Sequence, residues 1–168
     1  MNSRIHGRRL AALQLALCLA LLAPLEQAGA AENDDSREAV LRAAYLYNLC
    51  LFVEWPAQTY PNASAPLVVG VAGRNAFLDV VVESMKGRTV AGRRIDVRRI
   101  TSTAEARETH LVFLGFSDSA KNVEFLTALK GLPVLTVGDS REFAAGGGIV
   151  RLFRDRSEEH TSELQSRF

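Results

Sequence analysis

The chain has 168 residues, 48% of them hydrophobic and 23% charged, with a formal net charge of +1; this suits one globular domain and excludes a charged disordered tail. Between residues 31 and 155, fifteen basic side chains are balanced by fifteen acidic ones. There is no basic excess to neutralise phosphates, so no nucleic-acid partner is expected.

The two ends read as separate from the fold. Residues 1–9 are polar and basic, residues 10–25 are almost wholly apolar, and Ala28-Gly29-Ala30 follows. That order describes a secretory signal peptide over residues 1–30, cleaved after Ala30. The apolar run is shorter than the roughly 20 residues of a spanning helix, so the mature chain is expected to be periplasmic and not membrane-spanning. Leu17 precedes Cys18 where a lipoprotein carries a small residue. At the other end, Arg156-Ser157-Glu158-Glu159-His160-Thr161-Ser162-Glu163-Leu164-Gln165-Ser166 resembles a translated sequencing adapter. Residues 156–168 are therefore expected to be a non-native tail, leaving 31–155 as a domain incomplete at its C-terminal side.

Within that domain, Asp35 and Glu38 form a capping-box pattern, and Val40, Ala43, Ala44, Tyr47 and Leu51 recur at helical spacing. A helix over about 36–53 is expected, stopped by Trp55-Pro56. Residues 60–66 read as a loop. Residues 67–72 form a continuous apolar run, the mark of a strand buried on both faces, and 75–85 read as a helix. After a turn over 86–93, residues 94–100 alternate Ile95 and Val97 with Asp96 and Arg98, so an edge strand is expected. Ser102 with Glu105 caps a short helix. Residues 110–115 are a second buried strand, Ser119 caps a helix closed by Gly131, and 133–137 are a third buried strand. Asp139 with Glu142 caps one more short helix, and Gly146-Gly147-Gly148 introduces a strand over 149–153. Alternating strands and helices predict an α/β fold: a single domain with a largely parallel or mixed sheet of about five strands and helices on both faces.

Little catalytic chemistry is available. Outside the two ends the chain has His110 alone, so no metal centre is expected, and His110 reads as structural, bonded at the edge of the sheet. Gly115-Phe116-Ser117-Asp118-Ser119 lies where a nucleophile elbow sits but lacks its closing glycine. His110 is at the opposite end of the same strand, roughly 15 to 20 Å away at about 3.3 Å per residue. The turn Gly70-Val71-Ala72-Gly73-Arg74-Asn75 offers backbone N–H groups and Arg74 to an anion but matches no nucleotide motif. Glycines 146–148 read either as a bare turn or as a site of close backbone approach. Cys50 is the sole cysteine expected in the mature chain, so no intramolecular disulfide forms; it reads as a packed hydrophobe, with cross-linking of a dimer as the other use of a free thiol.

Ala43-Ala44-Tyr45-Leu46-Tyr47-Asn48-Leu49-Cys50-Leu51-Phe52-Val53-Glu54-Trp55-Pro56 resembles the opening motif of the YfiR/HmsC-like family. Two further blocks agree: His110-Leu111-Val112-Phe113-Leu114, and Pro133-Val134-Leu135-Thr136-Val137-Gly138-Asp139-Ser140 leading through Phe143-Ala144 to Gly146-Gly147-Gly148-Ile149. The resemblance implies a periplasmic α/β protein without catalysis or cofactor. It implies a regulator that binds the periplasmic sensor region of an inner-membrane diguanylate cyclase and represses it, lowering cyclic di-GMP output and biofilm formation; a homodimer is a further possibility. Where the family's best-known member has a cysteine in its first strand this chain has Gly70, so that member's redox role is not carried over. The alternative function is a periplasmic small-molecule-binding protein or enzyme using residues 70–75. Within the motif, Tyr45, Tyr47, Asn48, Phe52, Trp55 and Pro56 are the candidate partner-binding residues. Tyr47, Phe52 and Trp55 are expected to build core, Asn48 to satisfy backbone, and Glu54 to be solvated, while exposed Tyr45 or Trp55 is the candidate interface anchor.

Overall fold

The computed structural model describes residues 25–153; the expected signal peptide up to residue 24 and the expected tail at 156–168 lie outside the described residues. The chain divides into two units, residues 1–39 and 40–168. Residues 25–39 of the first are helical, and the sheet belongs to the second.

Helix α1 spans Leu25–Phe52. It begins eleven residues before the expected start, because Glu26, Gln27, Ala28, Ala30, Ala31 and Glu32 all have high helix propensity. Asp35 consequently lies inside the helix instead of capping it. The helix ends three residues before Trp55, as the Trp-Pro step requires. A 3-10 turn over Ala57–Thr59 follows Pro56.

The remaining elements are β1 (Leu67–Ala72), α2 (Asn75–Met85), β2 (Thr89–Val90), β3 (Arg93–Ile100), α3 (Thr103–Arg107), β4 (Leu111–Leu114), α4 (Ser119–Leu129), β5 (Leu135–Gly138) and β6 (Val150–Arg151). They build a six-stranded sheet in the order β2-β3-β1-β4-β5-β6. Five strands are parallel and β2 alone is antiparallel, on β3. Numbered among themselves, the parallel strands run 2-1-3-4-5, the doubly wound order whose chain reverses direction beside the first strand. The mixed α/β architecture thus agrees with the expectation.

Register assigns the two faces. Val69 is beside Leu111 and Val71 beside Phe113, and Phe77 of α2 meets the Phe113 ring with centroids 4.7 Å apart. The opposite face carries Ala72, Ile100, Val112 and Leu114, which join Ala106 of α3 and Phe125, Leu126 and Leu129 of α4 in one buried cluster. Central strands β1 and β4 are buried at every position, which explains their unbroken apolar runs. β3 keeps charged residues such as Arg98 and Arg99 toward solvent, and only two residues of β2 cover its outer edge.

Two expected caps are corrected. α4 is capped by Asp118, whose side chain accepts from Ala120 N–H, not by Ser119. No helix follows Asp139; residues 141–147 are turns, and the Asp139 carboxylate is engaged by two arginines instead. The Ser102 cap holds as expected, accepting from Glu105 N–H, while Glu105 accepts from Thr101 N–H.

Candidate partner-binding surface

Within residues 40–52 the helix sorts its side chains by angle. At about 100° per residue, Ala43, Leu46 and Cys50 fall on one narrow arc and are fully buried. Val40, Leu41, Ala44, Tyr45, Asn48, Leu51 and Phe52 fall on the opposite arc, about 140° wide, and all are exposed. Leu41 is 56% exposed, Tyr45 50% and Phe52 83%. Phe52 is therefore not core as expected: it lies two residues beyond Cys50, roughly 200° round the helix. The expected apolar face through Val40 and Leu51 is likewise not the buried one. Single exposed apolar residues are ordinary, but a contiguous row of them on one helix face marks a contact surface.

Tyr47 flanks this arc half-buried, with the Arg88 guanidinium 4.5 Å above its ring. Asn48 is exposed. Glu54 and Pro56 are exposed and Trp55 is half-buried. Of the motif residues, the helix groups Tyr45, Asn48 and Phe52 on one exposed arc and places Tyr47 at its side, while Trp55 and Pro56 belong to the segment beyond the helix. Leu41 joins the arc and was absent from the expected set; its i, i+4, i+7, i+11 spacing with Tyr45, Asn48 and Phe52 was the available signal.

Trp55 turns inward onto the entry of β4. Its Nε1–H donates to the His110 carbonyl at 2.9 Å, and its ring stands edge-on to the imidazole at 5.9 Å. Tyr60 stacks on the same imidazole at 4.4 Å, and Arg93 covers the outer face of Tyr60 at 3.9 Å. Nη1 of Arg93 also donates to the carbonyls of Asn62, Ala63 and Ala65. The loop after α1 is thereby fastened over the N-terminal ends of the strands. His110 itself is structural, as expected: its Nδ1 accepts from Val68 N–H at 3.0 Å.

At the other end of the sheet, Oδ2 of Asp139 accepts from Nη1 of Arg42 at 2.7 Å and faces Nη2 of Arg74 at 3.2 Å. The carboxylate side chain is only 9% exposed, and it ties α1 to the end of β5. Arg74, the cation of the expected anion-binding turn, is thus paired within the protein. Gly73 has φ +87°, and the backbone of Gly115 and Phe116 fills the place a side chain there would take.

Cys50 is fully buried, and burial pushes its thiol up to about 12, so it is a protonated hydrophobe at neutral pH and cannot cross-link a dimer in the folded state. Among the described residues no cluster of His, Cys, Asp or Glu is grouped to hold a metal ion, and no helix is long and apolar enough to cross a membrane. At position 70, the Ile100 side chain occupies the space where a Cβ would project, so strand β1 packs around a glycine where the resemblance places a cysteine.

No curated relative matches the chain. A protein-family model described as YfiR/HmsC-like covers residues 39–160, from the middle of α1 through the whole sheet and beyond, and the chain therefore belongs to the YfiR/HmsC-like family.

Proposed function

We propose that this protein is an exported periplasmic regulator that binds the periplasmic sensor region of an inner-membrane diguanylate cyclase and represses it, lowering cyclic di-GMP output and biofilm formation. The observation that carries the reading is the exposed apolar arc of Leu41, Tyr45, Leu51 and Phe52 on the helix that bears the family motif. A row of aromatic and aliphatic side chains at helical spacing suits a helical or flat apolar partner surface, and aromatics are the residues that dominate such contacts. The alternative, a small-molecule-binding protein or enzyme using residues 70–75, has less support because Arg74 is already paired with Asp139.

The test mixes the full-length protein with the isolated sensor region of a cyclase encoded beside its gene and measures the Kd. Phe52→Asp and Tyr45→Ala are expected to weaken binding by at least about tenfold while leaving the melting curve in place. Deleting the gene is expected to raise cyclic di-GMP. Variants that bind as tightly as the unaltered protein would move the docking surface elsewhere, and a cyclic di-GMP level indifferent to the deletion would end the regulatory reading. Export with cleavage after Ala30 belongs to the same proposal; the mass of the mature N-terminus tests it, and Met1 retained on cytoplasmic protein would refute it.

A further inference from the structure

His110 does more than extend the sheet. Its backbone N–H donates to Val68 O at 2.9 Å, while its side-chain Nδ1 accepts from Val68 N–H at 3.0 Å. The imidazole thus takes the place of a backbone acceptor at the mouth of the β1–β4 ladder. That hydrogen bond requires Nδ1 to be unprotonated and assigns the proton of the neutral ring to Nε2. Nε2 is buried without a hydrogen-bond partner, and the residue is 5% exposed.

Burial by the surrounding groups and one nearby charge disfavour a second proton. From the loop after α1, Tyr60 stacks on it and Trp55 meets it edge-on. From β3, Arg93 lies beyond Tyr60 and is the charged group that acts on His110. From α1, Cys50 acts on Tyr60 but remains a neutral thiol. Burial first, then the Arg93 charge, hold the imidazole below its ordinary pKa. Protonating Nδ1 would set two donors, Nδ1–H and Val68 N–H, against each other and place a cation beside Arg93.

We propose that His110 is a proton-operated latch: neutral, it holds the Trp55 to Tyr60 segment down on the strand ends, and on acidification that segment releases while the sheet stays folded. The release is local because Arg93 separately clamps the carbonyls of Asn62, Ala63 and Ala65, so the free span is bounded by α1 on one side and this clamp on the other. Once the segment lifts, the imidazole regains water and takes up its proton at the ordinary pKa, so the open state gains population as pH falls below about 6.5.

The chain has one tryptophan, so its indole N–H gives a single signal in the full-length protein. Exchange of that N–H and the Trp55 emission wavelength are followed from pH 7.5 to 5.0 together with far-ultraviolet circular dichroism, for the unaltered protein and for His110→Asn. The asparagine carboxamide oxygen can accept from Val68 N–H and does not titrate. The ratio of exchange rates, unaltered to variant, is expected to climb below pH 6.5 toward about tenfold per pH unit, the slope for one proton, with a red-shifted emission and an unchanged dichroism spectrum. Superimposable pH profiles, or loss of dichroism along with the tryptophan signal, overturn the latch. Should the variant not fold, the imidazole titration of His110 in the unaltered protein decides: a pKa at or above the ordinary value overturns the proposal, and a lower one that coincides with the Trp55 change supports it. Latch and partner docking fail separately, since these signals are read on the isolated protein.

Discussion

Trp55 and His110, fifty-five residues apart, are joined by a hydrogen bond from the indole N–H to the His110 carbonyl, and the same carbonyl accepts from Leu135 N–H at 2.8 Å. One oxygen thus links the loop after α1 to both β4 and β5. Because the ring is only half-buried, Trp55→Ala should cost about 2–4 kcal/mol, the low side of buried-tryptophan truncations. Trp55→Phe keeps the ring and drops the donor, for about 1 kcal/mol. Urea unfolding of the pair measures both; a Trp55→Phe protein as stable as the unaltered one would mean that the hydrogen bond adds nothing.

Asp139 is the counterpart at the opposite end of the sheet, with the Arg42 and Arg74 guanidiniums converging on one oxygen. Asp139→Asn leaves two cations facing each other across an amide and should cost about 1–3 kcal/mol, less than a fully buried pair because both arginines are partly solvated. Arg42→Met should cost less than Asp139→Asn, and the double variant less than the sum of the two. Strict additivity in denaturant titrations would show that the carboxylate does not depend on Arg42.

These two anchors mark the border of what the sequence made legible. Helix α2 and the three buried strands were readable because their signals are local: an 11-residue amphipathic pattern, and apolar runs bounded by Gly and Pro. Asp139 looked like a helix cap because Glu142 follows three residues later, whereas its arginine partner Arg42 is 97 positions away, and no local pattern encodes that. α1 failed differently. With apolar side chains on every side, from Val40 to Phe52, periodicity does not say which arc faces the sheet; the sheet chooses the arc of Ala43, Leu46 and Cys50, and so decides that Phe52 is surface. The exposed arc was legible as a list of aromatics but not as a face.

Phe143 accounts for Gly148, one of the three glycines that the sequence left between two readings, and for Gly138. Its ring, 1% exposed, lies directly against the Cα positions of both Gly138 and Gly148, and a Cβ at either would overlap ring carbons. Gly148→Ala or Gly138→Ala should therefore cost about 1–3 kcal/mol by overpacking, although neither requires a left-handed backbone. Gly147, with φ +95° and no neighbour at its Cβ position, should lose stability on alanine substitution through backbone strain alone. Phe143→Leu distinguishes the two causes: added to Gly148→Ala it should recover part of the loss, and added to Gly147→Ala it should recover none. Melting curves of the four variants decide it.

Cys50 gives a prediction with a defined sign in pH. Its thiol is raised from an ordinary 9.0 to about 12 by burial, so the folded state holds its proton where the unfolded state has already lost it. The stabilisation is complete below about pH 9 and is lost progressively as pH rises toward 12; acidification leaves it untouched. At pH 8 the thiolate fraction in the fold is roughly a thousandfold below that of the unfolded chain, and Cys50 lies on the buried arc of α1 with no exposed surface. In Cys18→Ser protein, where Cys50 is the sole thiol, alkylation by iodoacetamide at pH 8 should therefore be slower than in denaturant by at least that factor. It should proceed only through opening of α1, so the rate should rise in parallel with any variant that loosens the helix, Trp55→Ala among them. Rapid alkylation of the native protein, at a rate indifferent to Trp55→Ala, would show Cys50 reachable from solvent and would reopen the cross-linked dimer that its burial here rules out.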